Sequence, residues 1–312
     1  MSKIIVAGAG AFGTSLALAL VRDGRDVTLW GRDVTQIAAT RHNPRLPDAI
    51  LPPELTLADT LEAAPSDLLL LAIPMQALGT LLAQHTLRPL VAVACCKGID
   101  LTTGKGPTAL IEDHLKVPSA ILSGPSFATD LAQGLPTALT FATTSPSGPE
   151  WQAQLSTDTM RLYLSNDPTG AELGGALKNV IAIACGICIG AGLGESARAA
   201  LMTRGYAEMQ RMALSLGARP ETLSGLSGFG DLALTCNSPK SRNFSFGHAL
   251  GSGTLAPNAT TEGRATSQAI VKLAAKHGVE MPIAKTVAGM VTGSMTLDQA
   301  LSTLLSRPLG KE

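Results

Sequence analysis

The sequence predicts an α/β fold in which a doubly wound, mostly parallel sheet is followed by an all-helical C-terminal domain. Three observations carry this. A glycine cluster, Gly8-x-Gly10-x-x-Gly13, lies between an apolar run and a helix-like run. Short apolar runs then alternate with helical patterns as far as residue 164. From Glu172 onward only long helical patterns remain, so the chain is expected to divide into residues 1–172 and 173–312.

Residues 3–7 read as a buried strand, 8–13 as a tight turn, and 14–22 as a helix carrying Leu16, Leu20 and Val21. Gly24 closes that helix and residues 26–30 form the next strand, completing one βαβ unit. Apolar runs at 68–73, 90–95, 120–122, 137–141 and 162–164 supply further strands. The helical runs that follow are 173–189, 198–216, 266–276 and 283–292. The stretches 235–243 and 255–263 are rich in Ser, Thr, Asn, Pro and Gly, and are expected to be loops that cover something.

Composition narrows the class of partner. A chain of 312 residues suits two ordinary domains. Lys+Arg and Asp+Glu balance at 24 each, which gives no field to draw nucleic acid or an anionic membrane. Aromatics make up only 3%, too few for base-stacking platforms, so a small molecule is the expected partner. The five cysteines, with no secretory signal, suit reduced thiols in a cytoplasmic protein. Cys185-x-x-Cys188 has no second pair at ligand spacing, so it reads as small buried hydrophobes and no metal site is expected. Glycines and charged residues break the apolar N-terminus, so neither a signal peptide nor a membrane span is expected.

The glycine cluster has the placement that a dinucleotide site requires. Gly8 permits a tight turn, Gly10 lets backbone approach a pyrophosphate, and Gly13 allows close packing of helix on strand. The helix N-terminus then offers free amides and a partial positive charge. At the end of the second strand, Trp30-Gly31-Arg32-Asp33 provides no strand-end carboxylate for a ribose hydroxyl, whereas Arg32 suits a 2′-phosphate. NADP is therefore favoured over NAD, and Asp33 reads as a helix cap.

Three distant segments look like the parts of a substrate pocket: Ser123-Gly124-Pro125-Ser126-Phe127-Ala128, Leu177-Lys178-Asn179, and the stretch from Asp231 to Asn243. With these residues in view, the chain resembles the bacterial NAD(P)-dependent sn-glycerol-3-phosphate dehydrogenases. The likeness runs through GAGAFGTSL (8–16), CKGI (96–99), SGPSFA (123–128), ELGGALKNVIAIA (172–184), AALMTRGYAEM (199–209), GLSGFGDLALTC (225–236) and SRN (241–243). It implies a Rossmann-type domain followed by a helical substrate domain, the 6-phosphogluconate dehydrogenase-like arrangement. It also implies reversible hydride transfer between NAD(P)H and dihydroxyacetone phosphate, serving glycerophospholipid synthesis. By this resemblance Lys178 is the catalytic base. Lys97, Gly124, Ser126, Lys178, Asp231, Ser241, Arg242 and Asn243 would touch substrate, and Gly8, Gly10, Ala11, Phe12, Gly13, Arg32, Lys97, Ala128, Arg242 and Glu262 would touch cofactor. One segment departs from the family pattern, with Gly194-Glu195-Ser196-Ala197-Arg198 standing where an Asp/Asn-containing version is common.

The residues suit that chemistry. Ketone reduction needs a proton donor at the carbonyl oxygen, and Lys178, set among small and apolar residues, is expected to be desolvated with a lowered pKa. Lys97 and Arg242 would depress it further, while Asp231 would oppose them and orient it. Ser241-Arg242-Asn243 offers a hydroxyl, a guanidinium fork and an amide for a phosphate dianion, and Gly124-Pro125-Ser126 is expected to end a strand and open a helix facing the substrate. The plain alternatives are a snorkelling surface lysine, a polar loop and an ordinary helix cap. Two other functions fit the same pattern, a related β-hydroxyacid dehydrogenase and a nonenzymatic NADP-binding sensor. A homodimer accords with the apolar helical domain.

Overall fold

The computed structural model describes residues 2–254 and 261–305. The first βαβ unit is β1 (Ile4–Ala7), α1 (Ala11–Arg22) and β2 (Val27–Trp30). A short helix α2 (Thr35–Thr40), an antiparallel hairpin of β3 (His42–Asn43) and β4 (Leu46–Ile50), and the edge strand β5 (Thr56–Ala58) follow. The sheet continues through β6 (Leu68–Leu71), α3 (Met75–Gln84), β7 (Val91–Ala94), α4 (Pro107–Leu115), β8 (Ser119–Ser123), α5 (Ala128–Ala132), β9 (Thr137–Ala142), α6 (Gly148–Leu155) and β10 (Met160–Ser165).

The eight strands lie in the order β10-β9-β8-β7-β6-β1-β2-β5. Every pair is parallel except β8 with β9. The order reverses beside β1, where the glycine turn emerges; in an open α/β sheet this switch point is where ligands lodge. Continuous runs such as Leu68–Leu71 are buried on both faces, because helices cover both sides of a parallel sheet. Ile4 and Val6 pack into one layer, Ile5 and Ala7 into the other.

The remaining elements are helical: α7 (Pro168–Gly190), α8 (Glu195–Ser215), α9 (Pro220–Ser224), a π turn (Leu226–Gly230), α10 (Asp231–Cys236), α11 (Arg242–Gly251), α12 (Glu262–His277), α13 (Pro282–Thr292) and α14 (Leu297–Leu305). Asp167 starts α7 by accepting the Gly170 amide at 2.8 Å, with Pro168 in the first turn. This helix is long and apolar enough to cross a membrane, yet its apolar window is 89% buried within the fold. It is the hub of the helical unit. A methyl group added at Gly186 or Gly190 would overlap the Phe244 or His248 carbonyl, and one at Gly247 or Gly251 would overlap that of Ile183 or Ile187. The backbones of α7 and α11 therefore touch directly.

Three local expectations are corrected. The stretch 235–243 is only partly a loop, since α10 runs to Cys236 and Arg242 already begins α11, capped by the Ser241 hydroxyl. Gly124-Pro125-Ser126 ends its strand but opens no helix; the chain bends first, and α5 starts at Ala128. Residues 262 and 263, read as loop, open α12, while 255–260 lie outside the described residues. The departing segment 194–198 forms the start of α8, where Glu195 pairs with Arg198.

Candidate active site

The glycine turn is built around backbone contacts. Gly8 has φ +122°, and a methyl there or at Gly13 would overlap a backbone carbonyl, that of Ala72 or of Gly8 itself. Gly10 differs, because a methyl on it would meet nothing within 4 Å. That open approach lies at the N-terminus of α1, where the amides of Ala11, Phe12 and Gly13 lack intrahelical acceptors. The residues present therefore fit a dinucleotide pyrophosphate. Gly31 lies close to Ala9, the next residue Arg32 is exposed, and Asp33 accepts the Thr35 amide at 3.0 Å from one residue ahead of Val34, the N-cap of α2.

Beyond the end of β7, one carboxylate joins two ammonium groups. Asp231, 2% exposed at the first turn of α10, accepts Lys178 Nζ at 2.8 Å through Oδ1 and Lys97 Nζ at 2.5 Å through Oδ2. Lys97 follows β7 and also donates to the Gly124 carbonyl at 3.2 Å. Lys178 projects from α7 and is 8% exposed. Burial lowers its pKa; Asp231 opposes this, and the Lys97 charge adds to the lowering. Gly175, one turn earlier, leaves room for this packing, since a methyl there would stand 2.7 Å from Ser123 Oγ and 3.3 Å from the Lys97 side chain.

The 241–243 segment divides its groups between structure and site. Ser241 Oγ pairs with Thr235 Oγ1 at 2.7 Å and accepts the Phe244 amide at 3.3 Å. Asn243 accepts the Gly263 amide at 3.0 Å. A backbone amide only donates, so this bond fixes the orientation of the Asn243 side chain, whose nitrogen then donates to Asn179 Oδ1 at 2.9 Å. Arg242 is left exposed at the N-terminus of α11. Glu262, half-buried at the start of α12, has its pKa raised by burial against the charges of Arg242, Lys97 and Lys178. These cations and Glu262 thus share one electrostatic neighbourhood. Ser126 Oγ is buried with no hydrogen-bond partner, and Ala128 is half-buried at the start of α5. Such a hydroxyl costs about 1–3 kcal/mol until something meets it.

Sequence reasoning missed several supporting groups. Asn43, on the β3–β4 hairpin, donates to the Ala9 carbonyl at 3.2 Å and to Thr14 Oγ1 at 2.7 Å, which pins the glycine turn from outside. Thr235 and Asn179 fix Ser241 and Asn243, as described. Glu172 accepts the Thr108 amide at 2.6 Å, joining α7 to the start of α4, and burial pushes its carboxyl up to about 7. Every one of these bonds except Thr235–Ser241 spans 20 residues or more, so no local pattern announces it. Among the described residues no three His, Cys, Asp or Glu side chains form a metal-holding group.

Known proteins match the chain in sequence and in fold. A family model described as the NAD-dependent glycerol-3-phosphate dehydrogenase N-terminus matches residues 3–148, and its C-terminal counterpart matches 167–302. A glycerol-3-phosphate dehydrogenase [NAD(P)+] of Cereibacter sphaeroides is 57% identical over 98% of this chain and 99% of its own length. One from Paracoccus denitrificans is 54% identical over 99% and 100%. The crystal structure of glycerol-3-phosphate dehydrogenase from Coxiella burnetii superposes with a TM-score of 0.92 at 34% identity, covering 98% of this chain and 99% of that one. With two family models spanning both halves and full-length relatives above half identity, the chain belongs to the NAD-dependent glycerol-3-phosphate dehydrogenase family.

Proposed function

We infer that this chain catalyses the reversible NAD(P)H-dependent reduction of dihydroxyacetone phosphate to sn-glycerol 3-phosphate, which feeds glycerophospholipid synthesis. The observation that carries the reading is the buried Lys178 ammonium held by Asp231 and shared with Lys97. A nicotinamide cofactor, once bound, would supply the hydride for the substrate carbon. Lys178 gives its proton to the carbonyl oxygen in reduction and takes the alcohol proton in oxidation; burial lowers its pKa, which eases the exchange, and Asp231 opposes that lowering and orients the ammonium. Lys97 holds the Gly124 carbonyl and Asp231 in place. Arg242 and the free amides of α11 suit the phosphate, with Ser241, Asn243, Gly124 and Ser126 lining the substrate.

The dinucleotide binds along Gly8, Gly10, Ala11, Phe12 and Gly13, with Arg32 toward a 2′-phosphate, Lys97, Ala128, Arg242 and Glu262 completing the contacts, and NADPH preferred. The nucleotide-binding unit is assigned to residues 1–172 and the substrate unit to 173–312, a division that falls inside α7 (Pro168–Gly190), so the two units share that helix. The protein acts on a small molecule in the cytoplasm, as a homodimer. The test is oxidation of NADPH and NADH, followed by absorbance, with dihydroxyacetone phosphate, unphosphorylated dihydroxyacetone and a 2-keto acid. Turnover of the keto acid but not the ketose phosphate would assign the site to β-hydroxyacid chemistry instead.

A further inference from the structure

Two ion pairs join the sheet-bearing part of the chain to the helical part that follows β10, among the described residues. Lys97–Asp231 is the buried pair, with side chains 15% and 3% exposed. Lys240–Asp130, at 2.9 Å, is the outer pair, with side chains 59% and 35% exposed. The Lys240 ammonium also stands 5.9 Å from the centre of the Phe127 ring. Lys240 immediately precedes Ser241-Arg242-Asn243, and Asp130 follows Ala128 by two residues. The contact therefore connects the segment read as substrate-holding to the segment read as cofactor-holding.

Both ends are anchored. On one side the Ser241 amide donates to Ser238 O at 3.1 Å, the Lys240 amide to Ser238 Oγ at 3.2 Å, and Ser245 Oγ to Pro239 O at 2.7 Å. On the other, Arg22 Nη1 donates to Ala132 O at 2.5 Å and so couples α5 to α1, the helix of the glycine turn. Separation of the two segments has to break the outer pair.

We propose that Lys240 and Asp130 form a rim tie that holds the cleft closed over its contents and slows their escape. Both are positioning residues, and the inference rests on the dehydrogenase reading of the cleft. An exposed pair shifts such an equilibrium by about two- to fivefold, and salt screens it. A competing role for Lys240 alone is electrostatic attraction of an anionic substrate. Asp130 separates the two, because its removal loosens a tie but relieves repulsion of an anion.

The test compares Lys240→Ala, Asp130→Ala, the double variant, and the charge-exchanged Lys240→Asp/Asp130→Lys protein in steady-state kinetics at low and high salt. Hydrogen exchange of 124–132 and 237–243 is measured on the same proteins without substrate. The tie predicts that each alanine variant raises KM for dihydroxyacetone phosphate about two- to fivefold with kcat unchanged or higher. The double variant should be no worse than either single one, the exchanged pair should recover, and the differences should fade in high salt. Exchange in both segments should rise together. The proposal is overturned if Asp130→Ala lowers KM while Lys240→Ala raises it, if the two effects add, or if exchange is unchanged. Hydrogen exchange requires no turnover, so an enzyme inactive on this ketose phosphate would fail the dehydrogenase reading while the tie is still read.

Discussion

Replacing Asp231 with Asn removes one carboxylate and leaves two ammonium groups facing each other. Its oxygens accept Lys97 at 2.5 Å and Lys178 at 2.8 Å, in a position only 2% exposed. Breaking a buried pair from one side costs about 3–5 kcal/mol. Asparagine keeps the volume and one acceptor, and Lys178 can release its proton, so a loss of about 2–3 kcal/mol at neutral pH is expected. The loss has a pH signature. Burial already lowers the Lys178 pKa, with Asp231 the chief group opposing it. A lysine whose folded pKa lies below its unfolded value gives a fold that gains stability as pH rises between the two, because the unfolded chain keeps the proton longer. Without Asp231 the folded value falls further, so the deficit is largest near neutrality and shrinks as alkaline pH strips the proton from Lys178. The limb of the pH–rate profile that reports this proton should move to lower pH, and kcat/KM should drop by about two decades, equivalent to about 2.7 kcal/mol. Urea denaturation at neutral and alkaline pH, with pH–rate profiles, checks both effects. Equal stability of the two proteins at neutral pH, or an unshifted profile, refutes the reasoning.

Arg242→Ala should raise KM for dihydroxyacetone phosphate about 10- to 100-fold, from a charge-assisted bond worth about 1.5–3 kcal/mol, with thermal unfolding unchanged. Equal use of phosphorylated and unphosphorylated ketose by the wild type would remove this assignment. Arg32→Ala should raise KM for NADPH a few-fold and leave that for NADH nearly unchanged, since an exposed pair is screened; equal losses would place Arg32 on the shared phosphates. Glu172 has a folded pKa pushed up from 4.5 to about 7, so the unfolded chain loses its proton first and stability falls as pH rises through that window, by about 3 kcal/mol at most. Glu172→Gln keeps an acceptor for Thr108 and cannot ionise. Denaturation curves should show it more stable than the wild type above about pH 7 and converging with it toward pH 4.5; a constant difference across pH would contradict the burial argument.

What could be read in advance follows from the range of each interaction. Buried parallel strands such as Leu68–Leu71 and the α7 pattern declare themselves through unbroken apolar runs, and the Gly8–Gly13 turn through a fixed spacing tied to backbone geometry. The hairpin of β3 and β4 gave no such signal, because His42–Asn43 is two residues long and its role lies in the reach of Asn43 across to Ala9 and Thr14. Lys178 stood out by its apolar setting, but its sharing of Asp231 with Lys97 joins residues 53 and 134 positions apart. The same limit hid the division of work at 241–243. A Ser-Arg-Asn triplet reads as a polar set for a phosphate, and nothing in it announces that the fold also uses Ser241 as the cap of the helix that begins there and bonds Asn243 to Asn179.

The direct backbone contact of α7 with α11 has a consequence for selectivity. Gly186 and Gly190 on one helix, and Gly247 and Gly251 on the other, leave no side chain between the axes, so their separation is a fixed length set by main-chain van der Waals radii. Lys178 rides on the first helix and Arg242 on the second. The backbone spacing beneath the proposed proton donor and the proposed anion anchor is then set as in a rigid gauge, and only the side-chain rotamers of Lys178 and Arg242 adjust the reach between them. A ketose phosphate with one carbon more between carbonyl and phosphate would have to bend or lose one of its two anchors. Comparable turnover of such a four-carbon homologue would show that the gauge has more play than two touching backbones permit.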